Sequence, residues 1–139
     1  MSKSLAVLLL ALIFGCGDGE SLQRAELLDS EGQVLLALRV AIADTEYERQ
    51  EGLRLHGPLD EHEALLLVFP TEARVCIAND GVPFSIDLVY LDAGHDLIAT
   101  ERNVAPNDPG PYCHPGAQMV LELNAGELPP ANLMKLELF

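Results

Sequence analysis

Short apolar runs, each cut off by glycine, proline, asparagine or aspartate, limit this chain to short strands joined by turns. Val34 to Ile42 is the clearest. Val34, Leu36, Leu38, Val40 and Ile42 face one way and Leu35, Ala37, Arg39 and Ala41 the other, a period of two. Leu65-Leu66-Leu67-Val68-Phe69 is fully apolar and stops at Pro70, which predicts a short buried strand. Arg74 to Ile77 follows as another, and Asn79-Asp80-Gly81 as a turn. Ile86 to Asp92 and Leu97 to Val104, separated by Ala93-Gly94, predict a hairpin. Met119 to Leu123 and the alternating Met134, Leu136 and Leu138 close the series, and Ala25 to Ser30 leads it in. Pro106 to Gly116, with four prolines and two glycines, reads as an excursive loop. One helix is expected. Thr45 with Glu48 three residues on matches a capping box, acidic residues crowd the first turn, and Gly52 suits a stop. The expectation is a mainly β fold, a small β-sandwich or barrel with one short α-helix.

The N-terminus says where such a domain would reside. Lys3 precedes the apolar run Leu5 to Phe14, which is about half the 20 residues a spanning helix needs. A charged start, a short apolar stretch and a small residue before a cut form a secretory signal. Ile13-Phe14-Gly15-Cys16 resembles the lipobox of bacterial lipoproteins, which carry acyl chains on the cysteine. Two or more chains hold a protein stably on a bilayer. Residues 1–15 therefore read as a signal peptide, 16–24 as a lipidated flexible leash and 25–139 as one domain. The expected location is the bacterial cell envelope, facing the periplasm or the exterior.

Charge restricts the partners. The net charge of −14 repels phosphate backbones and anionic headgroups, so nucleic acid is not an expected partner. Membrane contact would come from acyl chains on Cys16. An envelope protein or a small molecule could be the ligand. With Cys16 acylated, Cys76 and Cys113 are left as a candidate disulfide in an oxidising compartment. A buried thiol at Cys76 and an exposed one at Cys113 is the alternative.

Four stretches in fixed order carry a family resemblance: Val40 to Glu46 through Arg49 to Gly52-Leu53; Ala64 to Pro70; Gly81-Val82-Pro83-Phe84-Ser85-Ile86-Asp87 into Leu91-Asp92; and Val120-Leu121-Glu122-Leu123-Asn124-Ala125-Gly126. Together they resemble the domain-of-unknown-function family 192, small and mainly β domains of bacteria and archaea, over about Val34 to Phe139. The resemblance implies a fold more than an activity. Where members of that family carry Phe-Trp-Met-Lys, this chain has Ile77-Ala78-Asn79-Asp80, and the Met of a Gly-Leu-Met turn is Arg54.

Asp87 stands out because it interrupts an apolar strand, where an unpaired carboxylate is costly. It is expected either to bind main-chain donors or an arginine, with Arg74 and Arg102 as candidates, or to wall a polar pocket. His56, His62, His95 and His114 match no zinc spacing, so no metal and no cofactor are expected. No nucleophile elbow, H-E-x-x-H or phosphate-gripping loop is present. The leading expectation is a non-enzymatic, lipid-anchored binding or interaction module. Its contact surface would draw on Asp80, Gly81, Pro83, Phe84, Asp87, Tyr112 and His114. The alternative is a small envelope hydrolase or metal-dependent enzyme built on Asp87, Cys113 and His114.

Overall fold

The computed structural model describes residues 21–130 and 132–139. The signal segment and Cys16 lie outside the described residues. The described chain forms β1 (Gln23–Leu28), β2 (Val34–Ala43), α1 (Glu46–Glu51), α2 (Leu53–His56), β3 (Glu63–Ile77), β4 (Ile86–Leu91), β5 (Leu97–Val104), β6 (Tyr112–Asn124) and β7 (Lys135–Leu138). β1 thus begins inside the span read as leash. No described helix is long and apolar enough to cross a membrane.

The seven strands make one sheet in the order β5-β4-β6-β3-β2-β1-β7. The sheet curls until its two edges touch. Asp96, just before β5, bridges to Lys135 of β7, and Leu97 N–H and Leu136 N–H donate to Met134 and His95 carbonyls. The architecture is mainly β, a curled half-barrel, with two short helices. Every pairing is antiparallel but one, β2 with β3, which runs parallel from Arg39↔Glu63 to Ala43↔Leu67. Parallel neighbours need a crossover of a dozen or more residues, and α1 and α2 lie in it.

The capping box forms. Glu48 N–H donates to Thr45 Oγ1 at 3.2 Å, and the Glu48 carboxylate accepts from Thr45 N–H at 3.2 Å and Asp44 N–H at 3.1 Å. These donors hold the Glu48 carboxyl below its ordinary range. Gly52 ends α1 as expected, its N–H donating to the Glu48 carbonyl at 2.8 Å. With φ 51° and ψ −133° it redirects the chain into a further single turn, α2.

Two predicted strands, Leu65–Phe69 and Arg74–Ile77, are one. β3 runs through Pro70 because its register with β6 slips between Val68 and Ala73 and again before Val75. At such an irregularity the missing proline N–H leaves no ladder bond unmade. Gln118 Nε2 donates to the Phe69 carbonyl at 3.1 Å, bracing the bend. The Pro106–Gly116 loop is also shorter than expected, since β6 starts at Tyr112.

Strand alternation splits the core in two. Ala25, Leu38, Val40, Leu66, Val89, Leu121, Leu123 and Leu136 fill the inside of the curl. Leu65, Leu67, Leu88, Tyr90 and Val120 face the other way and pack with Leu53, Val82 and Phe84. β4 is buried at all six positions, so both its faces are covered. That second, outer layer positions the site.

Candidate functional site

α1, α2, the bent β3 and the turn after it line an open-sided cavity of about 530 Å³ on the outer face of the sheet. The bend in β3 lets one strand supply two walls, Leu67 and Phe69 on one side and Cys76 and Ile77 on the other. Val82 adds an apolar surface, and Glu122 of β6 lines the interior. Its size lies within the usual range for small-molecule sites.

Glu122 is the polar centre of this cavity. It is 4 % exposed, and no hydrogen bond joins its side chain to any other described residue. Burial pushes its carboxyl up to about 8, against the opposing pull of the Arg54 charge. At neutral pH it is therefore mostly protonated and able to donate a hydrogen bond. Leu88 stands directly across the ladder from it. Tyr90, on the same face of β4 as Leu88, has its hydroxyl pushed up by burial and by the charges of Glu101 and Glu122. That hydroxyl donates to the Tyr112 carbonyl at 2.6 Å.

Two arginines flank the cavity. Arg54 donates through Nε to the Asp80 carbonyl at 2.8 Å, through Nη1 to the Gln50 carbonyl at 3.0 Å and through Nη2 to the Asp80 carboxylate at 2.8 Å. This ties the helices to the turn at Asn79–Gly81. Gly81 has φ +76°, and a Cβ there would lie 2.6 Å from Arg54 Nε, so the turn accepts Arg54 only because residue 81 has no side chain. Arg49 donates to the carbonyls of Asp44 and Val68 and sits 5.3 Å from the centre of the Phe69 ring.

The turn and the loop singled out from sequence form one unit. Asn79 Nδ2 donates to the Phe84 and Ala105 carbonyls at 3.0 and 2.8 Å, and Asn79 N–H to the Asp108 carbonyl at 2.8 Å. Asn107 N–H reaches the Val82 carbonyl at 2.9 Å. Asp80 lines the cavity, Pro83 is exposed and Phe84 packs on the outer core layer. Tyr112 fixes the loop, with its hydroxyl donating to Asp108 Oδ2 at 2.6 Å. The same bond lowers the Asp108 carboxyl and raises the Tyr112 hydroxyl.

Asp87 is no part of this surface. It is 2 % exposed, and it accepts from Asn103 N–H at 2.7 Å and Gly126 N–H at 3.1 Å. It therefore closes the end of β5 and the turn after β6. Neither expected arginine reaches it. Arg102 donates to the Leu128 and Pro129 carbonyls, and Arg74 is exposed.

Nor do Asp87, Cys113 and His114 converge. Cys113 is joined to Cys76 in a disulfide between directly opposed residues of β6 and β3, Cα–Cα 4.0 Å. Cys76 is exposed rather than buried. His114 Nε2 lies 2.8 Å from Glu101 Oε1, and its ring meets Tyr90 edge-on at 4.5 Å. Asp87 and Tyr90, three apart on β4, point to opposite faces of the sheet. Among the described residues no three His, Cys, Asp or Glu side chains group to hold a metal ion.

Glu122 is the functional candidate that sequence reasoning passed over. The signal was present, a lone carboxylate in Val120-Leu121-Glu122-Leu123, the same pattern that drew attention to Asp87.

The comparisons with known proteins agree on the fold. A crystal structure of a proposed transcription regulator from Sinorhizobium meliloti superimposes with a TM-score of 0.78 at 20% identity, covering 86% of this chain and 95% of that one. A protein of unknown function from Novosphingobium aromaticivorans gives a TM-score of 0.74 at 18% identity, covering 84% of each chain. No curated protein matches. The profile of DUF192, described as an "Uncharacterized ACR", matches residues 27–135, and on that extent this chain belongs to the DUF192 family.

Proposed function

We propose that this protein is a lipid-anchored domain of the bacterial cell envelope that binds a small organic ligand in the cavity over Glu122. The observation that carries the binding is Glu122 itself. Burial disfavours the charged form of its carboxyl, and it lines a cavity of about 530 Å³ rather than packed core. A ligand group that bonds to it would offset that penalty. The rest of the lining is mixed in the manner of small-molecule sites, apolar walls with a few polar groups.

Native and denaturing mass spectrometry of the protein extracted from its own membranes tests this reading. The expected result is an extra mass on the native protein that denaturation releases and that Glu122→Gln no longer retains. A bare native mass, together with no ligand-induced change at cavity residues, would overturn it.

Ile13-Phe14-Gly15-Cys16 supports the anchor. Globomycin should block maturation and leave a precursor still carrying residues 1–15. A mature protein that forms regardless would remove the lipoprotein assignment. The reading leaves nucleic acid aside. The Sinorhizobium meliloti protein is described as a proposed transcription regulator, but the net charge of −14 on this chain opposes a phosphate backbone.

A further inference from the structure

The charged groups around the cavity are unevenly committed. All three Arg54 nitrogens are engaged, on Asp80 and on the Gln50 carbonyl. Arg49 is held by the Asp44 and Val68 carbonyls and by the face of Phe69. Arg54 thus has little left to offer an anionic ligand, and Arg49, which bonds through Nη1 alone, keeps its charge against the Phe69 ring. The Glu122 carboxyl, in contrast, has no bonded partner among the described residues. The walls beside it are apolar, from Leu67, Phe69, Ile77 and Val82. The field of a chain with net charge −14 favours cations at any opening. A bare divalent ion is a poor fit, because it needs several oxygen ligands and no acidic group of that kind is assembled among the described residues.

We propose that the cavity takes a small organic amine, its ammonium group seated on the Glu122 carboxylate and its apolar body against Leu67, Phe69, Ile77 and Val82; this rests on the small-ligand reading above. An ammonium supplies the hydrogen-bond donors that the buried carboxylate lacks and adds its charge to the pull of Arg54. Glu122 must ionise to receive it, so binding releases the proton that burial keeps on the carboxyl below about pH 8. Of the ionisable groups around Glu122, Arg54 pulls against the effect of burial, and those of α1 and the turn line the same cavity. Glu46, Arg49 and Glu51 come from α1, Arg54 from α2 and Asp80 from the turn. Tyr90 of β4 interacts with it from across the ladder, with Glu101 of β5 behind. β3 contributes no ionisable group, since Cys76 is in the disulfide.

The test uses phenethylamine, phenylacetate and 2-phenylethanol, one ring and chain with a cationic, an anionic and a neutral end. Each is titrated into the full-length protein in detergent, and amide shifts at Leu67, Val82 and Leu123 are followed by NMR. Phenethylamine should shift these amides and bind about tenfold more tightly at pH 7 than at pH 6, as a carboxyl titrating near 8 requires. Glu122→Gln should weaken it at least tenfold. Should that variant fail to fold, the pH dependence of the wild-type protein decides alone. Phenylacetate or 2-phenylethanol binding as tightly as the amine, or amine binding indifferent to both pH and Glu122→Gln, would overturn the amine and leave the small-ligand reading in place. No cavity response to any probe would overturn the amine, and a bare native mass alongside it would remove the small-ligand reading as well.

Discussion

Asp87 and Glu122 are lone carboxylates on adjacent strands, one rung apart, since Asp87 pairs with Leu123 and Leu88 with Glu122. Alternation sends them to opposite faces of the sheet, and their surroundings then differ completely. Asp87 accepts two main-chain N–H groups at chain turns. Asp87→Ala should leave those donors buried and unpaired, at about 1–3 kcal/mol each, and denaturant unfolding should record the loss. For Glu122 the burial penalty outweighs the pull of the Arg54 charge, so its pKa lies above the unfolded value. The folded state then holds a proton that the unfolded state gives up between about pH 4.5 and 8. The Glu122 contribution to stability is complete below that window and falls as pH rises through it, by an amount on the order of a few kcal/mol. Thermal melts from pH 5 to 8.5 should show the wild-type protein losing ground to Glu122→Gln with rising pH. A constant difference between the two would mean that Glu122 is ionised in the folded protein throughout.

Between elements, the contact of α2 with the turn after β3 shapes the cavity. Arg54 crosses over Gly81 to reach Asp80. Gly81→Ala would meet both a positive φ and the Arg54 side chain, and a loss of about 1–3 kcal/mol is expected. In the background of Arg54→Ala the collision disappears and only the backbone strain remains, so the double-mutant cycle should show clear non-additivity. The disulfide links β3 to β6 across 37 residues of chain. Replacing Cys76 and Cys113 by serine should cost about 3–4 kcal/mol on a chain-entropy basis, read as a lowered melting temperature. Much of this level was legible in the sequence. The Thr45–Glu48 box, the alternation of β2 and the β4–β5 hairpin follow from local rules, which act over a few residues. What was not legible depends on partners far along the chain. Pro70 reads as a strand end unless Gln118 and the slipped register of β6 are known to sit opposite it. Pro115 and Gly116 read as loop for the same reason, although the register with β3 accommodates them. Glu122 showed the same local signature as Asp87, but its significance came from Arg54, Phe69 and Val82, which only the fold brings around it.

At the scale of the whole molecule, closure of the curl rests on a short strand. β7 has four residues, yet it covers the outer edge of β1 from Ala25 to Leu28, bridges toward β5 through Lys135 and inserts Leu136, 1 % exposed, into the inner core. These roles can be separated. Leu136→Ala removes core volume and keeps the main-chain ladder, so it should cost about 2–5 kcal/mol without promoting association. Ending the chain after Met134 removes the ladder too and exposes β1, whose unpaired N–H and C=O groups would template pairing with another chain. Size-exclusion chromatography should then show concentration-dependent association for the truncated protein and none beyond the wild-type level for Leu136→Ala. Equal association of the two would mean that the inner core, rather than strand pairing, keeps this edge closed. The cavity over Glu122 is on the outer face, away from β7. A ligand that binds there should therefore keep its affinity for Leu136→Ala under conditions where that variant remains folded, and a parallel loss would tie the cavity to the closure of the sheet.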